Sequence, residues 1–363
     1  MTTIASADAA LYRLPLPVTF SDSTHGAIAD FELALLTVRD ADGVEGTGYT
    51  YTVGKGGSAI LALLRDHVAP ALAGADAEAP EAARVRLDAM LHWGGRGGAT
   101  TLALSAADMA LWDLLAKRAG RPLWRLLGGH DASVACYAGG IDLDFTVDAL
   151  LAQADGFLAA GHRAIKMKVG RARLSEDVAR VEAMRRHLGE DFPLMADANM
   201  KWRVHEAVEA ARALAPYRLV WLEEPINPDD FEGHRRVVEE GGVPVATGEN
   251  LRSVAEFRRL IAGGGVSFPE PDATNCGGIG AFMKVAHLAE AFHLPLTSHG
   301  AHDVTVHCLA ATPAATFLEI HGFSIDPYVE DPLVVREGRV RAPDRPGHGI
   351  LFDRARLARH LAG

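Results

Sequence analysis

The sequence predicts an α/β protein in which a (β/α) barrel follows a smaller unit made of strands and then helices. From about residue 134, short apolar runs alternate with helical patterns, as in a parallel sheet covered by helices. These runs, at 134–138, 163–169, 192–197, 218–223, 243–248, 266–272, 294–299 and 316–320, recur roughly every 20 to 30 residues, which suits a closed barrel better than an open doubly wound sheet. The residues before them lack that alternation, and the 363-residue length accommodates two domains at roughly 100 to 200 residues each.

Taken in order, residues 31–39 (FELALLTVR) and 44–52 (VEGTGYTYT) flank a D-A-D-G turn and read as a hairpin. Residues 58–72 and 78–92 are Ala/Leu-rich with helical spacing, and 101–119 is the most continuous amphipathic helix, closed by Gly120 and Arg121-Pro122. After about residue 325, PLVVREGRVRAPDRPGHGI returns to hairpin and turn chemistry, so this segment is expected to pack back on the N-terminal unit. The domains are therefore drawn at 1–130, 131–325 and 326–363.

Lys and Arg number 36 against 47 Asp and Glu, a net charge of −11. Such a field repels phosphate backbones and anionic membranes, so neither nucleic acid nor membrane is expected as a partner. No apolar run is read as approaching the roughly 20 residues that span a bilayer. The N-terminal stretch MTTIASADAALYRLPL lacks the basic start and long apolar core of a secretory signal, and a cytoplasmic location is expected. Cys136, Cys276 and Cys308 form no C-x-x-C pair and read as small core residues.

The informative feature is where ionisable residues fall. Asp197, Glu223 and Glu249 each end an expected strand, at equal steps of 26 residues. In a barrel the C-terminal rim carries chemistry, whereas carboxylates lower down would be buried unpaired. Helix capping would explain any one of them; three hard oxygen ligands in register describe a Mg²⁺ site. In RAIKMKV, Lys166 and Lys168 share one face of the strand with Ala164, and Ile165, Met167 and Val169 share the other. With the apolar face against helices, both lysines point into the barrel, where ammonium groups need anionic partners. A lysine crowded by a second cation and a metal has its pKa lowered and becomes a base at neutral pH. Asp272 and His299 end neighbouring strands, and a carboxylate that orients an imidazole makes a second base. Glu319 ends the last strand, placed to hydrogen-bond substrate. His92, His162, His287, His293 and His307 are assigned to core hydrogen bonds or the surface. The glycine-rich stretches at 54–57, 94–98 and 276–280 complete neither a dinucleotide fingerprint nor a P-loop, and no G-x-S-x-G elbow occurs.

The K-x-K at Lys166 and Lys168, DAN at 197–199, WLEEP at 221–225, TGEN at 247–250, PD at 271–272 and SH at 298–299 occur in the order and spacing of a known family. The chain resembles the enolase superfamily in its mandelate racemase-like branch, over nearly its whole length. The resemblance implies a modified TIM barrel, (β/α)7β, with an N-terminal α+β capping domain. It also implies Mg²⁺ as cofactor, Glu223 as the ligand in WLEEP with Glu224 in support, and a small-molecule acid as partner to a homo-oligomeric enzyme. The superfamily's shared step is loss of the proton α to a carboxylate, with a Lys or His base and an ene-diolate stabilised by Mg²⁺. Substrate contacts are implied for Asn199 and, from capping loops near 20–28 and 50–57, for His25 and Lys55; these loops are expected to close over the barrel mouth.

STHG at 23–26, GYTYTVGKGG at 48–57, YAGGIDLDF at 137–145 and PDATNCGGI at 271–279 resemble the members of that branch acting on 3,6-anhydro-L-galactonate and other acid sugars. Ala138-Gly139-Gly140 stands where mandelate racemase has a substrate-contacting serine, which argues against mandelate. The expectation is β-elimination from a sugar acid by a dehydratase or cycloisomerase, with racemisation or epimerisation of a 2-hydroxy acid as the alternative. A catalytically inactive binding protein is disfavoured because every ligand and base is retained.

Overall fold

The computed structural model describes residues 2–363. It opens with an antiparallel sheet, β1 (Ile4–Asp22), β2 (Gly26–Asp40) and β3 (Glu45–Thr52), in that spatial order. The hairpin read from the sequence is β2–β3, with Leu33 opposite Tyr51 and Leu35 opposite Tyr49. Strand β1 was not foreseen. Pro15 and Pro17 lack ladder donors, which reads against a strand; the register shifts between Pro15 and Phe20, and β1 lies at the sheet edge where such prolines are tolerated.

Helices follow at 57–72, α1 (Pro80–Leu91) and α2 (Gly98–Arg118). Contrary to the expectation of no run long enough to cross a bilayer, α2 is long and apolar enough by length and composition. Its residues are mostly buried in a core shared with Leu36, Val38 and Leu64. A helix surrounded by protein is apolar on most sides for that reason.

The barrel strands are β4 (Ser133–Gly139), β5 (Ile165–Lys168), β6 (Leu194–Asp197), β7 (Leu222–Glu223), β8 (Val245–Thr247), β9 (Phe268–Pro269), β10 (Leu296–Ser298) and β11 (Ala315–Ile320). They run parallel in the order β10-β11-β4-β5-β6-β7-β8-β9, a nearly closed barrel. The seam between β9 and β10 is bridged where His299 N–H donates to the Pro271 carbonyl at 3.4 Å. Helices between the strands cover the outside. The alternation read in β5 is observed: Ala164 packs inside with Tyr137, Met195 and Trp221, while Ile165, Met167 and Val169 pack outward with Leu150, Val181 and Met184.

The C-terminal segment makes two kinds of contact. It first adds β12 (Arg339–Arg341) antiparallel to β4, then returns to the N-terminal sheet, where Leu11 N–H donates to the Gly363 carbonyl at 3.0 Å. Between these, Asp113 of α2 is a buried junction. Its carboxylate accepts from Thr47 N–H of β3 at 2.9 Å, His348 N–H at 3.0 Å and Lys117 Nζ at 2.6 Å. Asp113→Ala leaves buried backbone donors without an acceptor and should lower the unfolding free energy by about 3 kcal/mol. Equilibrium urea unfolding of both proteins measures this; a loss under about 0.5 kcal/mol, the range of an ordinary surface change, would show the junction to be dispensable.

Candidate active site

Strand register brings the charged residues together. Lys168 is the neighbour of Asp197 between β5 and β6, and Asp197 is the neighbour of Glu223 between β6 and β7. Glu249 lies two residues beyond β8. Ligand oxygens of Asp197, Glu223 and Glu249 all fall within 4.8 Å of one another. Lys168 Nζ lies 2.5 Å from Asp197, and Lys166 Nζ pairs with Glu223 and lies 2.9 Å from Glu319. Trp221 Nε1–H donates to the other Glu223 oxygen at 2.9 Å.

Burial and carboxylate crowding push Glu223 up, against the pull of Lys166; burial also raises Asp197, but the two lysines hold it below its ordinary value. Burial opposes charge on both lysines, yet Glu223 and Glu319 hold Lys166 above its ordinary value and Asp197 does the same for Lys168. These directions are those of the site without a divalent cation, whereas the depression expected from the sequence is that of a site holding one. Two of these carboxylates, Asp197 and Glu223, are also ones that a divalent cation would engage. The cluster fits such a cation on a second ground: its Glu249 Oε2 is a buried oxygen without a hydrogen-bond partner among the described residues. Hard oxygens left unsatisfied in an anionic cluster are the donor set of Mg²⁺.

Just beyond β10, His299 Nδ1 lies 3.0 Å from Asp272 Oδ2, and its Nε2 lies 3.4 Å from Glu249 and 3.9 Å from Glu319. Burial opposes its protonation, but Glu249, Glu319 and Asp272 hold it well above the ordinary imidazole value. Glu319 also accepts from Gly300 N–H at 2.9 Å. A Cβ at Gly139 would lie 2.3 Å from Glu319 Oε1. No side chain fits there while Glu319 keeps this position, which explains the glycine in the Ala138-Gly139-Gly140 segment.

A cavity of about 360 Å³ opens over the cluster, lined by Lys168, Glu249 and His299 together with Asn199, His25 and Lys55. A larger open cleft of about 580 Å³ lies between Ser133 and the C-terminal hairpin, away from these groups. His25 Nδ1 lies 2.9 Å from Asp22, which also accepts from the Thr24 and His25 backbone N–H groups. Ser23 Oγ donates to the Ala198 carbonyl at 2.7 Å, and Thr24 Oγ1 to that of Asn199. The 22–25 turn is thus clamped onto the segment carrying Asn199, whereas Lys55 is exposed at the cavity mouth.

Sequence reasoning missed several lining residues: Asp22, Tyr51, Arg252, Asn275, His321 and Phe323. The alternation in GYTYT, which puts Tyr49 and Tyr51 on one face of β3, was the available signal for Tyr51. His321 follows Glu319 by two residues, and its ring lies 5.0 Å from that of His299. His307, assigned to the core, accepts from Trp124 N–H at 3.2 Å and lies 2.8 Å from the His348 carbonyl.

A nearly closed barrel with lysines and carboxylates at its rim, capped by an α+β domain, defines the enolase-like class of enzymes. Residues 149–356 match the enolase C-terminal domain-like family, and residues 3–128 match the N-terminal domain of mandelate racemase / muconate lactonizing enzyme. The chain belongs to the mandelate racemase/muconate lactonizing enzyme family. It is 53% identical, over 97% of this chain and 98% of the relative, to 3,6-anhydro-alpha-L-galactonate cycloisomerase of Streptomyces coelicolor. It superposes on a racemase from Streptomyces coelicolor with bound magnesium at a TM-score of 0.97, with 52% identity and coverage of 99% and 100% of the two chains. L-talarate dehydratase from a Polaromonas species, complexed with Mg and L-glucarate, matches at a TM-score of 0.95, with 35% identity over 100% of this chain and 98% of that one.

Glu249→Gln removes one charge from a crowded cluster, so divalent-cation affinity should fall at least about tenfold while the cation-free protein stays folded. Calorimetric Mg²⁺ titration with thermal melting of both proteins checks this, and unchanged affinity would exclude Glu249 as a ligand.

Proposed function

We propose that this enzyme removes the proton α to the carboxylate of a sugar acid and then breaks the β carbon–oxygen bond. The carrying observation is that Lys168 and His299, the latter paired with Asp272, line one cavity beside a three-carboxylate cluster. Asp197, Glu223 and Glu249 would hold Mg²⁺, which when bound supplies electrostatic stabilisation to the substrate carboxylate. Lys168 takes the α-proton, and the Lys166 ammonium stabilises the charge that develops as the enediolate forms. His299 Nε2 gives a proton to the departing β-oxygen, and Asp272 orients the ring.

The similarity to the Streptomyces coelicolor cycloisomerase supports 3,6-anhydro-L-galactonate as substrate. There the C2–H and C3–O bonds break, the ring oxygen is protonated as a hydroxyl, and the enol becomes a 2-keto-3-deoxy acid of unchanged composition. An open-chain acid sugar would lose water by the same steps. A second reading, racemisation, is favoured by the solved relative described as a racemase; it uses the same residues but returns the proton to the opposite face. We take the site of action to be cytoplasmic, since all three cysteines are buried free thiols, the state that a reducing compartment preserves.

With Mg²⁺ and 3,6-anhydro-L-galactonate, galactarate or a 2-hydroxy acid, a keto acid from one of the first two supports elimination, and loss of optical activity without keto acid supports racemisation. Lys168→Ala should abolish exchange of the α-proton with solvent deuterium, and His299→Asn should block departure of the β-oxygen while exchange continues. Each should lower turnover about 100-fold or more. Full turnover by either variant would refute the pairing.

A further inference from the structure

Strand β3 sends a hydroxyl into the acid–base pair of the barrel. Tyr51 Oη donates to Asp272 Oδ2 at 2.8 Å, the oxygen that faces His299 Nδ1 at 3.0 Å. Asp272 Oδ1 is occupied by Thr274, whose N–H and Oγ1 both donate at 2.6 Å. Every direction of this carboxylate is therefore set by a donor, and one of those donors comes from the capping domain. The backbone beside His299 leaves room for it. Gly300 has φ +48°, and a Cβ there would lie 2.5 Å from Tyr51 Oη and 2.9 Å from Asp272 Oδ2. The Tyr51 ring is itself held edge-on by Phe323, with centroids 5.8 Å apart.

We propose that Tyr51 is a positioning residue for His299: it pins Asp272 Oδ2, so that His299 Nδ1 is the donor to Asp272 and Nε2 faces the cavity. A carboxylate accepts only, so Nδ1 must carry the proton in that contact. Which ring nitrogen meets the substrate is set by the hydrogen bond that the other makes. Tyr51 lies 3.4 Å from His299 Nδ1 as well, but its one proton is committed to the shorter contact with Asp272. The capping domain thereby does more than cover the mouth. Its seating on the barrel completes a Tyr51–Asp272–His299 triad, so His299 works only in the assembled two-domain protein.

This inference rests on His299 acting as the acid in the proposed elimination, and the test separates the two. Tyr51→Phe removes the hydroxyl and keeps the ring on Phe323. With Mg²⁺ and 3,6-anhydro-L-galactonate in deuterium oxide, it should lower kcat by about 10- to 100-fold, the usual cost of losing a group that orients a functional histidine. KM should change less than about twofold, and α-proton exchange through Lys168 should continue faster than product forms. Unchanged kcat, or exchange lost together with turnover, would overturn the proposal.

A readout that needs no substrate completes the test. The Nδ1–H proton resonance of His299, assigned by its absence in His299→Asn, should be present in the wild-type holoenzyme and shifted or exchange-broadened in Tyr51→Phe. An unaltered resonance in Tyr51→Phe would refute the positioning role even if the substrate reading failed, and an altered one would support it.

Discussion

Two ammonium groups inside a barrel are the constraint on which the rest depends. Lys166 and Lys168 point inward because the other face of β5 is apolar and covered by helices. Charge in that interior persists only with opposite charge close by. Strand register supplies it, with Asp197 and Glu223 as successive lateral neighbours and Glu319 arriving from β11. The carboxyls then outnumber the cations, so burial and mutual repulsion push Glu223, Glu224 and Glu270 upward. An interior with excess negative charge and unsatisfied oxygens is stabilised by a further cation, which ties the packing of the barrel to its chemistry.

A second constraint is that the site is shared by two units. The 22–25 turn is bonded to the backbone of Ala198 and Asn199, and Tyr49 donates to Asp303 at 2.6 Å. From helix α2 of the capping domain, Asp108 accepts from Gly280 N–H at 2.9 Å and Ser105 from Gly277 N–H at 3.0 Å. These contacts are mostly buried and backbone-directed, which gives them geometric precision that surface ion pairs lack. The clamped turn confines where Asp22 and His25 stand at the cavity mouth.

Much of the barrel was legible because strand and helix periodicity are local properties. The runs ending at Asp197, Glu223 and Glu249 announced the rim, and the alternation in RAIKMKV announced which way the lysines point. Features set by tertiary context were not legible. Strand β1 contains prolines that argue against a strand, yet an edge position and a register shift admit them. Helix α2 is apolar because protein surrounds it, a fact that its sequence does not distinguish from membrane burial. The partners of the two lysines were not legible because they depend on how close Asp197 and Glu319 stand.

By itself the sequence determined which chemical groups exist and on which strands they end, since spacing along the chain becomes position around a barrel. Only the tertiary structure decided which groups pair: Lys168 with Asp197, Lys166 with Glu223 and Glu319, and Tyr51 with an Asp272 that lies 221 positions further on. The physical reason is that a charge or hydrogen bond in a low-dielectric interior is governed by distances of a few ångströms. Those distances are set by the packing of the two domains, and chain order does not encode them.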